Sequence, residues 1–242
     1  SNSRDTFELQ SKNSENNNIL MKILGVIPAR GGSKGIKKKN IRLLSNKPLI
    51  AYTIESALNS KLDRVIVSTD CEEIADISRS YGAEIMMRPS ALANDHTPTL
   101  PVLQDVYKNL NVYYDALMTL QPTSPFRNEH HIDESMKIYN KEKEIDSLVS
   151  VVEIPHNMSD KKTMFLKDGV LVGGARVYRR QEINKTYARN GAIYITSYNK
   201  LVNYIFGGRI LPYIMDKISS IDIDDMQDWE LSELVLRGMK RG

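Results

Sequence analysis

The sequence predicts an α/β domain: a three-layer arrangement with a mostly parallel sheet between helices, and a small arm. Three observations carry this. Short apolar runs recur at Lys22–Ile27, Arg64–Ser68, Glu84–Met87, Ala116–Leu120 and Ser147–Val152, and such continuous runs suit strands buried on both faces. Helical patterns separate the first runs, so the chain reads β, α, β, α, β, which argues for parallel pairing through right-handed crossovers. Polar loops follow the strands at Pro28, Ser68 and Gln121. Ligands in open parallel sheets lie beyond the carboxyl ends of strands, so these three loops are expected to share one cleft.

Composition narrows the class. At 242 residues, with 41% hydrophobic and 26% charged residues, the chain can bury the core of one such domain. A net charge of +3 argues against a global polyanion or nucleic-acid binder; positive potential has to be local. The single cysteine, Cys71, rules out an intrachain disulfide and a cysteine metal cluster, and fits a reducing, cytoplasmic setting. No run approaches the roughly 18 apolar residues of a membrane span. Residues 1–20 are polar and aperiodic. They are expected to be a disordered leader or an expression remnant, with Met21 as a plausible start and 21–242 as the domain.

The elements follow in order. A first strand, Lys22–Ile27, runs into the loop Pro28–Asn40, and Ile41–Asn46 is an irregular link. Pro48 suits the first turn of a helix reaching about Asn59, with Ile50, Ile54, Ala57 and Leu58 on one face. A helix over Glu72–Tyr81 is stopped by Gly82, and Asp70 is expected to cap it rather than to act in catalysis. The loop Arg88–Thr99 leads to a helix over Leu100–Leu110. Two prolines, Pro122 and Pro125, impose an extended turn on Gln121–Arg127. A helix over Ile132–Lys143 precedes the strand Ser147–Val152. Residues 153–189 are polar and broken by turns at Lys167-Asp168-Gly169 and Gly173-Gly174. This stretch reads as an excursion, a hairpin arm suited to dimerisation. Strands over Gly191–Ile195 and Ile210–Met215, an extended Ser220–Asp224 and a helix from Asp225 to Arg237 complete the chain.

Two stretches carry candidate chemistry. In the first, a buried strand feeds Arg30-Gly31-Gly32-Ser33-Lys34-Gly35 and a lysine cluster ending at Asn40. Glycines let backbone N–H groups approach an anion and lysines neutralise it. The loop matches neither GxxxxGK[ST] nor GxGxxG. Taken alone, it is as consistent with a solvated basic surface as with a phosphate site. In the second stretch, Asp222 and Asp224 alternate with Ile221 and Ile223. In extended chain both carboxylates share one face, which suits a hard divalent cation; an acidic helix start is the alternative. Cys71 reads as buried filler, and His96, His130, His131 and His156 lack ligand spacing. Trp229 and the helical methionines read as core.

The order of motifs is more specific than any one of them. Ile27-Pro28-Ala29-Arg30-Gly31-Gly32-Ser33-Lys34-Gly35 is followed by Lys39-Asn40, Arg88-Pro89, Gln121-Pro122-Thr123-Ser124-Pro125, Asn190-Gly191-Ala192-Ile193-Tyr194 and Ser220-Ile221-Asp222-Ile223-Asp224. Over Lys22–Leu236 this resembles the acylneuraminate cytidylyltransferases, which make CMP-sialic acids. The resemblance implies a Rossmann-like nucleotidyltransferase fold, Mg2+ as cofactor and a homodimer. It implies as substrates CTP and a nine-carbon 2-keto sugar acid, N-acetylneuraminic acid or a legionaminic-type relative. It places Arg30 and Lys39 on the triphosphate, with Gly31, Gly32, Ser33, Asn40 and Arg88 around the nucleotide. Asp222 and Asp224 would hold the metal and share catalysis with Arg30 and Lys39. Gln121, Arg180 (or the adjacent Arg179), Tyr187 and Asn190 would meet the sugar acid. The first loop departs from the CMP-Kdo synthetase pattern, which disfavours an eight-carbon sugar. Transfer to another sugar or sugar phosphate, or a non-catalytic polyanion-binding module, are the competing readings. The first lacks a GxGxRxxPxxK-type loop; the second sits poorly with near-neutral net charge.

Overall fold

The computed structural model describes residues 20–94, 97–142, 144–174 and 184–240. The strands of the main sheet are β1 (Ile23–Pro28), β4 (Arg64–Thr69), β5 (Glu84–Met87), β6 (Ala116–Thr119), β7 (Ser147–Glu153), β10 (Tyr187–Ser197) and β11 (Ile210–Met215). They lie in the order β11-β7-β10-β6-β1-β4-β5. Only β10 runs against its neighbours; every other pairing between adjacent strands is parallel. Two small ribbons stand apart: β2 (Leu43–Leu44) with β3 (Lys47–Pro48), and β8 (Phe165–Lys167) with β9 (Val170–Val172).

Strand alternation divides the core into two layers. Ile23 and Ile27 of β1 pack with α1 (Leu49–Leu58), α2 (Glu72–Ser80) and α4 (Glu129–Lys141) through Ile50, Ile54, Ile74, Ile132 and Met136. The intervening Leu24 and Val26 face α3 (Thr99–Lys108) through Leu103 and Val106. This burial on both faces is why the strands read as unbroken apolar runs. A third cluster joins Ile36 of the first loop to Leu44, Leu49, Ile223 and Trp229, the last from α5 (Met226–Met239).

Several expected boundaries move, each for a local reason. Pro48 ends β3 and stands just before α1, its φ of −53° leading into the helix. The link before it is a tight hairpin, with Ser45 and Asn46 at φ 51° and 71°. Asp70 does not cap α2: that position is Cys71, half-buried, with no side-chain cap bond. Helix α4 begins three residues earlier than predicted because Asn128 caps it. Its side chain accepts from the backbone N–H of His130 (3.1 Å) and His131 (3.3 Å), and its own N–H donates to His131 Nδ1 at 3.0 Å. Strand β10 is longer than the predicted Gly191–Ile195, because its pairing with β7 shifts register between Arg189 and Tyr194 and resumes on both sides. The excursion after β7 does form a hairpin. Asp168 and Gly169 both adopt positive φ (51° and 79°) at its turn, as a type I′ connection requires.

Candidate active site

The strand order reverses direction at β1: β4 and β5 follow on one side, β6 on the other. That switch point is where an open α/β sheet leaves a crevice. A cavity of about 380 Å³ lies there, lined by Arg30, Gly32, Ser33, Lys34, Gly35, Lys39 and Asn40 from the loop after β1. Arg88, Thr97, Thr99, Gln121, Pro122, Thr123 and Asp224 supply other walls. Eight of the sequence-predicted site residues (Arg30, Gly32, Ser33, Lys39, Asn40, Arg88, Gln121 and Asp224) thus meet there.

The loop holds its shape through its own polar groups. The Ser33 hydroxyl donates to the Ile36 carbonyl at 2.5 Å and accepts from the Lys39 N–H at 3.2 Å. Asn40 Nδ2 donates to the Arg30 carbonyl at 3.1 Å. Gly31 does not line the cavity: its N–H donates to Asp70 Oδ1 at 2.9 Å. The Asp70 carboxylate therefore latches the glycine loop instead of capping a helix. The Ser68 loop likewise supports the cleft from behind. The Ser68 carbonyl accepts from the Ala29 N–H at 2.9 Å and from Arg88 Nη2 at 2.8 Å. Arg88 is 8% exposed, its Nε has no hydrogen-bond partner among the described residues, and burial pulls its pKa below the usual arginine range.

The aspartate segment docks directly on this loop. Lys39 Nζ donates to the Ile223 carbonyl at 3.0 Å, Ile223 is fully buried against Ile36, and the Ile223 N–H donates to the Thr123 carbonyl at 2.9 Å. The neighbouring acids divide into two groups. Asp225 and Asp228 form the capping box of α5, and Asp228 Oδ2 also accepts from the Asp224 N–H at 2.9 Å. They are committed to the helix start. Asp224 is exposed to the cavity, while Asp222 lies deeper, with Oδ1 buried and without a partner among the described residues. Burial pushes the Asp222 pKa up and the Asp224 charge adds to this, against a hydrogen bond from Thr123 and the nearby Lys39.

The predicted sugar-side residues are more dispersed. Gln121 faces the cavity. Tyr187 opens β10 and is 40% exposed, off the cavity wall. Asn190 is buried, with its amide bonded inside the protein: Oδ1 accepts from Ser150 Oγ (2.6 Å) and the Ala192 N–H (3.1 Å), and Nδ2 donates to Ser220 Oγ (3.0 Å). It braces the bulge that places Gly191 beside Asp222, where an added Cβ would lie 3.8 Å from Oδ2. Arg180 and Arg179 lie outside the described residues. Thr97 and Thr99, in the sequence a plain polar loop, line the cavity as well. Arg127, unmarked in the sequence, is fully buried behind Gln121. An arginine directly after a Pro-Phe turn carried no pattern that marks burial.

The cytidylyltransferase family model matches residues 24–234. The chain belongs to the cytidylyltransferase family. An N-acylneuraminate cytidylyltransferase of Escherichia coli O18:K1:H7 is 40% identical over 222 residues, 87% of this chain. This cytidylyltransferase chain spans only about half, 51%, of that relative's length. A CMP-N,N'-diacetyllegionaminic acid synthase of Legionella pneumophila is 36% identical over 229 residues, covering 89% of this chain and 97% of the relative. Among solved structures, a CMP:2-keto-3-deoxy-manno-octonic acid synthetase complexed with CTP superposes with a TM-score of 0.71 at 18% identity, over 90% of this chain and 99% of its own. A 4-diphosphocytidyl-2C-methyl-D-erythritol synthase from Anaerococcus prevotii gives 0.62 at 14% identity, over 90% and 99%. At such identities the likeness is one of fold: the cytidylyltransferase sheet, mostly parallel, with helices on both faces.

Proposed function

We propose that this cytidylyltransferase transfers CMP from CTP to the anomeric hydroxyl of a nine-carbon 2-keto sugar acid. The acceptor is N-acetylneuraminic acid or a legionaminic-type relative. The observation that carries the reading is the docking of the aspartate segment on the glycine-rich basic loop at the sheet's switch point, in the family whose relatives bear those names. The hydroxyl oxygen forms a bond to the α-phosphorus, the bond to the bridging β-phosphate oxygen breaks, pyrophosphate leaves, and the hydroxyl proton is released. The chain's part is positioning and charge stabilisation. Arg30 and Lys39 bind the triphosphate oxygens, with N–H groups of Gly32 and Ser33 alongside. Asn40 keeps Arg30 in place through the Arg30 carbonyl, and Arg88 meets the ribose and cytosine end. Gln121 receives the sugar acid, with Arg180 and Tyr187 approaching from the arm side; a guanidinium fork suits a carboxylate.

A divalent cation fits the acids present. Asp222 Oδ1 is buried and orphaned, and a cation would offset the burial and the Asp224 charge that disfavour its ionised form. Among the described residues no group of three or more His, Cys, Asp or Glu is assembled for a metal. Asp222 and Asp224 as the protein ligands, with phosphate oxygens and water completing the shell, is the usual manner of Mg2+. Bound there, Mg2+ supplies neutralisation of phosphate charge. The reading also makes the protein a homodimer joined through the β8–β9 arm, where Phe165, Leu166, Val170 and Leu171 are 62–74% exposed. It works in the cytoplasm, where CTP is available.

The test is pyrophosphate release from CTP with sialic, legionaminic and pseudaminic acids side by side, with sugar 1-phosphates as controls. Turnover is expected only with CTP, a nine-carbon acid and a divalent metal together. A preference for a sugar 1-phosphate would sink the substrate assignment, and unchanged turnover in the D222A/D224A double variant would sink the metal role.

A further inference from the structure

Arg127 ranks among the largest fully buried side chains, at 0% exposure. Among the described residues its guanidinium donates only to neutral oxygens. Nη2 donates to the Gln121 carbonyl at 2.8 Å, Nε to the Ala192 carbonyl at 3.1 Å and Nη1 to Thr53 Oγ1 at 3.3 Å. Burial pulls its pKa down to about 9, so it remains cationic at neutral pH. A buried cation without a carboxylate is costly. An apolar side chain would fill the same space without that cost. It would, however, release both carbonyls.

Those two carbonyls belong to the segments that flank Asp222. Gln121 begins the turn whose Thr123 hydrogen-bonds to Asp222 and accepts the Ile223 N–H. Ala192 ends the bulge whose Gly191 stands beside Asp222 Oδ2. The first follows β6, whose last residue Thr119 pairs with Tyr194 of β10, and the second lies within β10, in the stretch where its pairing with β7 shifts register. A planar fork with fixed donor directions sets their spacing as a flexible side chain cannot.

We infer that Arg127 is a positioning residue: its guanidinium clamps the Gln121 turn to the Gly191–Ala192 bulge and so sets the distance between the acceptor's binding edge and Asp222. The inference rests on the proposed function, in which Gln121 meets the sugar acid. Arg127 reaches no substrate itself; it acts through Gln121 and the bulge.

The experiment compares R127Q, R127K and T53V with wild type in steady-state turnover, varying CTP and the sugar acid separately, and in amide hydrogen exchange by mass spectrometry. R127Q keeps amide donors without the charge. R127K keeps the charge without the fork, and stands in if R127Q does not fold. T53V removes only the third contact, which leads away from the site. The expected result is a rise of about tenfold in the sugar-acid KM for the Arg127 variants, with the CTP KM within about twofold. Exchange of 121–124 and 190–193 should quicken together, and T53V should leave both KM values alone. A fall in Tm with the two KM values unchanged, or moving in step, would overturn the inference and leave Arg127 an ordinary core residue. Wild-type protein inactive on every nine-carbon acid would sink the substrate reading instead. Exchange then decides the clamp: paired loosening in R127Q upholds it, and unchanged protection overturns it.

Discussion

At Gly35 an added methyl group would have nowhere to go: a Cβ there would sit 2.5 Å from the Asp224 carbonyl oxygen. That atom is backbone, held by the contact between Lys39 and the Ile223 carbonyl, so it cannot swing aside. At Gly31 the nearest atom is Cys71 Cβ at 2.9 Å, also fixed by its backbone but farther off than the Asp224 oxygen at Gly35. Overpacking typically costs about 1–3 kcal/mol. G35A is therefore expected to lose more stability than G31A, and to lower kcat/KM at least about tenfold by displacing Asp224 from the loop. Urea titration and initial rates measure both, and a G35A protein with wild-type kinetics would contradict the docking. The lysines separate in the same way. Lys39 is tied to the aspartate segment, whereas Lys37 is exposed and Lys38 pairs with Glu73 at the surface. K39A should cost about 10²-fold or more in kcat/KM, against less than about threefold for K37A or K38A. The residue types were legible because loop and strand are contiguous. Asp70 was misread because its acceptor role serves an N–H 39 positions away, and a helix follows it closely enough to imitate a cap.

At the scale of elements, the caps decide where polar groups go. Asp225 and Asp228 satisfy the start of α5, while Asp224 lines the cleft with Asp222 behind it. In α4 the N3 position is His131, not the Glu or Gln of the usual capping box, so the box depends on a neutral ring to accept the Asn128 N–H. Burial lowers the His131 pKa. The unfolded chain thus binds a proton more readily, and stability falls as pH drops below about 6.5, levelling off once the folded ring is also protonated. H131Q keeps an acceptor at N3 and should flatten this part of the stability–pH profile. Chemical denaturation at pH 7 and pH 5 checks it, and an H131Q slope equal to wild type would show that other groups set it. Asn128 is itself a strong cap residue, so the true start of α4 was available in the sequence. The apolar period starting at Ile132 drew the boundary inward instead.

For the whole molecule, the sheet order matters more than any single strand. The reversal at β1 puts the loops after β1 and β6 side by side, and Asp222–Asp224 closes the gap between them. The arm is the other large-scale feature. The apolar side chains of β8 and β9 are all exposed within the chain, more than a lone hairpin ordinarily leaves to water. Under the homodimer proposed above, F165E and L171E are expected to shift the protein from dimer to monomer in sedimentation velocity, with the Tm of the main domain little changed, and a monomeric wild type would overturn that proposal. A variant that stays dimeric would place the interface elsewhere.

Local chemistry in the sequence determined the strands, the glycine-rich loop, the Asp-Gly turn of the arm and the pairing of two carboxylates on one extended segment. Each depends on residues within a few positions of one another, where periodicity and side-chain type act directly. Only the tertiary structure decided which carboxylate latches the loop, that Asn190 spends its amide inside the protein, and that Arg127 is buried between two strands. Those outcomes depend on which donors and acceptors remain unpaired once distant segments meet. The competition is among hydrogen-bond partners distant in the chain: 39 positions for Gly31 with Asp70, 30 and 40 for Asn190 with Ser220 and Ser150, 65 and 74 for Arg127 with Ala192 and Thr53, and burial makes each unsatisfied group costly enough to settle it.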